Sequence, residues 1–110
     1  MPDHDHQLVL STCPDRETAE RLATTLVERR LAACVNIVPG LTSVYRWQGA
    51  IQTDAEVLLL IKTDAQRFPA LEKTLREEHP YELPEIVAVT ISNGSPGYLR
   101  WITTELDEAP

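Results

Sequence analysis

Histidine, a side chain that can both bind a metal and move a proton near neutral pH, is scarce here. The chain holds three, at positions 4, 6 and 79, and two of them lie in a polar N-terminal stretch. A Ser-His-Asp or Cys-His arrangement inside the fold must therefore use His79. No serine sits in a G-x-S-x-G elbow, and no glycine-rich phosphate loop, C-x-x-C or H-E-x-x-H occurs. Hydrolase, nucleotidase and closed single-chain zinc readings lose support, and a protein that is not an enzyme is expected. Glu78-His79 is an acidic–imidazole pair at an expected helix end. Its donors suit a metal, and a capping or surface histidine is the alternative. Cys13, just before Pro14, is read either as inert or as part of a site at a strand end. Cys34 is read as core packing.

Trp47 precedes a Gln48-Gly49 turn and is read as a core or interface anchor. Tyr45, Tyr81, Tyr98 and Trp101 supply most of the remaining aromatic surface. Lys62 closes an otherwise apolar strand, where it either pairs with a carboxylate such as Glu85 or snorkels to solvent. Trp47, Lys62, His79, Tyr81, Glu85, Tyr98 and Trp101 are the residues expected near a cleft. At the N-terminus, loss of Met1 would leave Pro2-Asp3-His4. A terminal amine, two amides and an imidazole there could wrap Cu(II) in a square plane, and a solvated acidic tail is the alternative.

The elements that must position these residues follow from pattern. Leu8–Leu10 reads as a strand running into Ser-Thr-Cys-Pro. Asp15 caps a helix whose apolar face is Ala19, Leu22, Ala23, Leu26 and Val27, with Arg29 and Arg30 in its last turn. Ala33–Tyr45 is a β-branched strand broken at Pro39-Gly40, where a kink or bulge is expected. A hairpin leads to the strand Glu56–Lys62. A second helix starts at Thr63 or Asp64 and stops by Glu78, because His79 precedes Pro80. Glu85–Ser92 is the last strand, and Ser95-Pro96 opens a final helix. The class is α+β: a ferredoxin-like βαββαβ sandwich with an extra C-terminal helix. The expected bounds are a tail over 1–7, one domain over 8–107 and a C-terminal tail over 108–110.

At 110 residues the chain suits one domain. Its formal charge is −7, which disfavours nucleic acid or an anionic membrane as partner. Two cysteines make no disulfide framework, and the polar start resembles no signal peptide, so a cytoplasmic location is expected. Val57-Leu58-Leu59-Leu60-Ile61 does not alternate, although helices in this fold cover only one sheet face. An oligomer would cover the other, and central strands with a few exposed aliphatics are the alternative. On the oligomer reading, Leu59→Asp should dissociate or unfold it.

Several segments together resemble the CutA divalent-cation-tolerance proteins. They are the CPD turn after the first strand, Glu28–Ile51 (ERRLAACVNIVPGLTSVYRWQGAI), Glu56–Thr63 (EVLLLIKT), His79–Val87 (HPYELPEIV) and Gly97–Ile102 (GYLRWI). The resemblance runs from about Leu8 to Leu106. It implies a homotrimer whose strands associate across subunits, an architecture similar to the PII-type signalling trimers. It also implies a role in tolerance of divalent metals, with Cu(II) or another divalent cation as ligand and none required for folding. The family's histidine falls on His79. Some bacterial members carry a second histidine where this chain has Glu78, and the family's first-strand cysteine aligns with Ser11. Cys13 lies two residues on. The implied metal residues are thus His79, Glu78 and Cys13. The competing function is a trimeric signalling or scaffold module that binds a small molecule or a partner protein at inter-subunit clefts.

Overall fold

A computed structural model describes residues 5–107. Pro2-Asp3-His4 and the C-terminal residues 108–110 lie outside them. Among the described residues the order is β1 (His6–Cys13), α1 (Arg16–Glu28), β2 (Cys34–Trp47), β3 (Ala50–Asp64), α2 (Phe68–Glu78), β4 (Val87–Thr90) and α3 (Pro96–Asp107). The strands form one sheet, ordered β2-β3-β1-β4, with every neighbouring pair antiparallel. This is an α+β architecture in the βαββαβ order, followed by α3.

The apolar run in β3 resolves into two faces. Val57, Leu59 and Ile61 are buried with Val9 and Cys13 of β1 and with Leu22, Leu26, Leu71 and Leu75 of α1 and α2. Leu58 and Leu60 alternate with them and so point to the opposite face. Cross-strand register puts Leu10 beside Leu60, Thr12 beside Leu58, and Leu8 beside Val89 on that same face. Leu8, Leu10, Leu58 and Leu60 remain half-buried, and Val87 and Val89 are exposed. Leu59 is therefore a core residue under the helices. A charge there would unfold the chain rather than probe assembly, so Leu60 is the residue for that test.

Local differences from the expected elements have physical causes. β1 begins at His6, because Gln7 is paired on both sides, with Thr63 and Thr90. β3 continues through Thr63 and Asp64, which pair with Gln7 and His6, so α2 cannot start there. Asp64 instead accepts the Arg67 N–H at 2.9 Å and its guanidinium at 3.1 Å, holding the turn before Phe68. The same guanidinium reaches the Leu106 carbonyl at 3.1 Å, tying the start of α2 to the end of α3. β4 is shorter than the expected strand: Val87–Thr90 pairs with β1, and beyond it the Ile91 N–H reaches the His6 carbonyl at 3.0 Å. Val27 is exposed, so the buried face of α1 is Ala19, Leu22, Ala23 and Leu26.

The start of α1 is as expected. Asp15 accepts the Thr18 N–H at 2.8 Å, and that bond lowers its carboxyl pKa. The helix ends earlier than expected, at Glu28. Arg29 becomes the C-cap, and Arg30 takes φ 57°, a left-handed position where glycine is usual. Its guanidinium donates to the Glu105 carbonyl at 2.7 Å and to the Glu105 carboxylate at 3.4 Å. An L-residue held there costs about 1–2 kcal/mol, and the link to α3 offsets it. Arg30→Ala keeps the strain and loses the link, whereas Arg30→Gly loses both. Denaturant titration should find Arg30→Ala the less stable of the two by ~1 kcal/mol. Equal stabilities would show that the backbone is relaxed at this position.

Candidate functional site

The site begins at a defect in β2. Val38 pairs with Leu58 and Leu41 with Glu56, so Pro39 and Gly40 stand opposite a single residue of β3. This is a β-bulge, and both residues suit it. Proline brings no N–H to the ladder, and Gly40 has φ 85°. The extra residue switches which side chains of β2 share a face with which of β3. Before the bulge, Asn36 and Val38 lie across from Leu60 and Leu58. After it, Ser43, Tyr45 and Trp47 lie across from Asp54, Gln52 and Ala50. Tyr45 and Trp47 thus join the face that carries Asp54, Glu56, Leu58 and Leu60. A two-residue turn closes the hairpin. Gln48 and Gly49 take φ 50° and 82°, as a tight turn matched to strand twist requires.

This far end of the sheet holds a cavity of about 940 Å³. Its hairpin wall is Tyr45, Trp47, Asp54 and Glu56, its floor includes Thr12 and Pro14, and its other wall is Pro80, Tyr81, Glu82, Leu83 and Glu85. Asp54, Glu56, Glu82 and Glu85 line it, and no Lys, Arg or His does so among the described residues. Two tyrosines are fixed by these carboxylates. The Tyr81 hydroxyl donates to Glu56 at 2.7 Å, and the Tyr45 hydroxyl donates to Asp54. Burial, then the Glu56 bond, raises the Tyr81 phenol pKa; the Asp54 bond raises that of Tyr45.

His79 holds the second wall in place. It is 7% exposed, and its Nε2 lies 2.8 Å from the Thr12 carbonyl at the end of β1. The Tyr81 N–H donates to its Nδ1 at 3.1 Å. An Nδ1 that accepts fixes the other tautomer, so Nε2 carries the proton and donates to Thr12. The imidazole also packs on the Tyr81 ring, with centroids 4.7 Å apart. Burial lowers its pKa, in keeping with a neutral ring.

The three expected metal ligands do not come together. Both nitrogens of His79 are engaged within the chain. Cys13 is fully buried under the helices, with Sγ 3.6 Å from the Asp15 carbonyl, and burial raises its thiol pKa. Glu78 is exposed and pairs with Arg21 at 3.6 Å. Ser11 shares the Cys13 face, is fully buried, and its Oγ has no hydrogen-bond partner among the described residues. No group of three or more His, Cys, Asp or Glu side chains among the described residues is placed to hold a metal. A divalent ion does not fit the donor set of His79, Glu78 and Cys13 within one chain.

The expected cleft residues fall into two groups. Trp47, Tyr81 and Glu85 line the cavity. Lys62, Tyr98 and Trp101 gather on the outer face: Lys62 Nζ lies 6.0 Å from the Tyr98 ring centre, and the Tyr98 and Trp101 rings stack 5.5 Å apart. Lys62 bonds to Asn36 rather than Glu85, and its Nζ is 4.0 Å from Cys34 Sγ. Sequence reasoning left Asp54, Glu56 and Glu82 out of the site. The signal for the first two was the Pro39-Gly40 bulge, which puts them on the tyrosine face.

The chain matches the family model described as "CutA1 divalent ion tolerance protein" over residues 7–105. The chain belongs to this family. It is 54% identical over 96 residues to the "Divalent-cation tolerance protein CutA" of Thermus thermophilus, covering 87% of this chain and 93% of that one. Its fold matches the crystal structure of CutA from Xylella fastidiosa with a TM-score of 0.91 and 52% identity, covering 94% and 99% of the two chains. It is 47% identical to "Protein CutA" of Mus musculus over 83% of this chain, and it spans 51% of that longer protein. In this chain the described geometry gives His79 a structural role.

That role has a pH signature. In the folded chain His79 is neutral and its pKa is lowered; unfolded, it takes a proton near ~6.5. Below that value the unfolded state binds more protons, so the His79 contribution is present at higher pH and is lost as pH falls through the folded pKa. At pH 8, His79→Gln should cost roughly 1–3 kcal/mol, the scale of leaving a buried carbonyl unpaired. In denaturant titrations the gap between wild type and variant should narrow steadily from pH 7 to pH 5. A constant gap would contradict a neutral, locked imidazole.

Proposed function

We propose that the protein serves divalent-cation tolerance as a homotrimer of ferredoxin-like subunits, binding a ligand in the cavity beneath the hairpin rather than catalysing a reaction. The observation that carries this reading is the apolar outer face of the sheet, in a chain 54% identical to a divalent-cation tolerance protein. Leu8, Leu10, Leu58, Leu60, Val87 and Val89 share that face. A contiguous patch of this kind on a small domain favours association. The sheet also has two different edges, β2 and β4. Joining one edge to the other, head to tail, is a heterologous contact that can close into a ring. Cu(II) or another divalent cation would then act on the assembly through donors contributed by more than one chain. No helix among the described residues is long and apolar enough to cross a membrane, and a cytoplasmic site of action goes with this proposal.

The test joins assembly to phenotype. Light scattering on the wild type at micromolar concentration should give three times the 12.4 kDa chain mass. Leu60→Asp, a half-buried outer-face position, should give monomer with native circular dichroism. Cells lacking their own family member should regain growth in raised copper with the wild type and not with Leu60→Asp. A wild-type monomer would overturn the assembly. Equal growth with and without the protein would overturn the role in tolerance.

A further inference from the structure

Within the proposed ligand-binding role, the cavity beneath the hairpin has a chemistry that selects its ligand. We infer that it binds an organic cation, a small alkylammonium compound, in an aromatic and acidic cage. Four features of the cavity carry this inference.

Size is the first. About 940 Å³ lies within the range of pockets that take small molecules, and is far more than a bare ion fills. The second is the wall. Tyr45, Trp47 and Tyr81 contribute rings, and an alkylammonium group over such a face gains cation–π attraction, strongest on tryptophan. The tyrosines are not free to swing, because each hydroxyl is tied to a carboxylate. Charge is the third. The acidic lining has no basic counterpart among the described residues, so the field favours a cation and opposes a carboxylate or phosphate ligand. The fourth separates an organic cation from a metal. Asp54 and Glu56 already accept tyrosine hydroxyls, and no cluster of metal-donor side chains forms among the described residues. A divalent ion needs several oxygens converging on one point. An alkylammonium ion needs only negative potential and a polarisable wall, which this cavity supplies.

The probe is choline, a quaternary ammonium alcohol, set against 3,3-dimethylbutan-1-ol, which has nearly the same shape and no charge. Calorimetry on the full-length protein should show saturable choline binding, with the neutral analogue weaker by at least ~10-fold. Trp47→Ala should weaken choline by a similar ~10-fold, and Trp47→Phe should restore most of it. Trp47→Phe keeps a ring in the hairpin, so it also controls for misfolding. Glu85→Gln should weaken choline and leave the neutral analogue unchanged. Equal binding of the two probes would overturn the inference, as would binding of neither. So would copper or zinc alone binding with loss in Glu85→Gln while choline gives no heat. Light scattering on the same samples separates this result from the reading it rests on. A trimer that ignores choline overturns the ligand class alone, and a monomer that binds choline overturns the assembly alone.

Discussion

One extra residue in β2 decides what the far end of this molecule can do. With Pro39-Gly40 bulged, Tyr45 and Trp47 share a face with Asp54 and Glu56. Paired one-to-one with β3 and no bulge, the same sequence would put those rings on the opposite side. The inner half of β2 cannot adjust, because Val35 and Ile37 pack against the buried core. Moving each out would cost up to ~1.5–3 kcal/mol. The bulge therefore lets one strand satisfy two demands: aliphatic residues under the helices at one end and rings on the outer face at the other.

The same outer face links assembly to site. Its aliphatic floor, Leu58 and Leu60, runs in register into Glu56 and Asp54 on a single strand. His79 anchors the opposite wall to the end of β1 through the Thr12 carbonyl. The residue that the family resemblance offers as a metal ligand is thus the one that shapes the cavity. Both ring nitrogens are spent on the chain itself, and Cys13 lies on the other face of the sheet.

Much of the fold was legible in the sequence. Asp15 as a cap, Pro39-Gly40 as a bulge, Gln48-Gly49 as a turn and His79-Pro80 as a helix stop each rest on local chemistry that the structure repeats. The two-faced character of Val57–Ile61 was also readable from its lack of alternation. What was not legible depends on partners distant in sequence. Thr63 and Asp64 look like a helix start until β1 pairs with them. Arg30 looks like an ordinary last-turn cation until its left-handed backbone and its contact with Glu105 are seen. The site was half legible. Trp47, Tyr81 and Glu85 stand out by type, but Asp54 and Glu56 need the strand register, and the separation of Lys62 from Glu85 needs the whole sheet.

The most direct measurement is on a chain from which Gly40 has been deleted. Two residues of β2 stand opposite Val57, so removing one leaves a regular ladder in which Leu41–Trp47 keep their partners on β3. Cross-strand nuclear Overhauser contacts between Tyr45 and Asp54 should therefore survive the deletion. Their loss would show that Gly40 is not the surplus residue and that the bulge does not place the rings on this face.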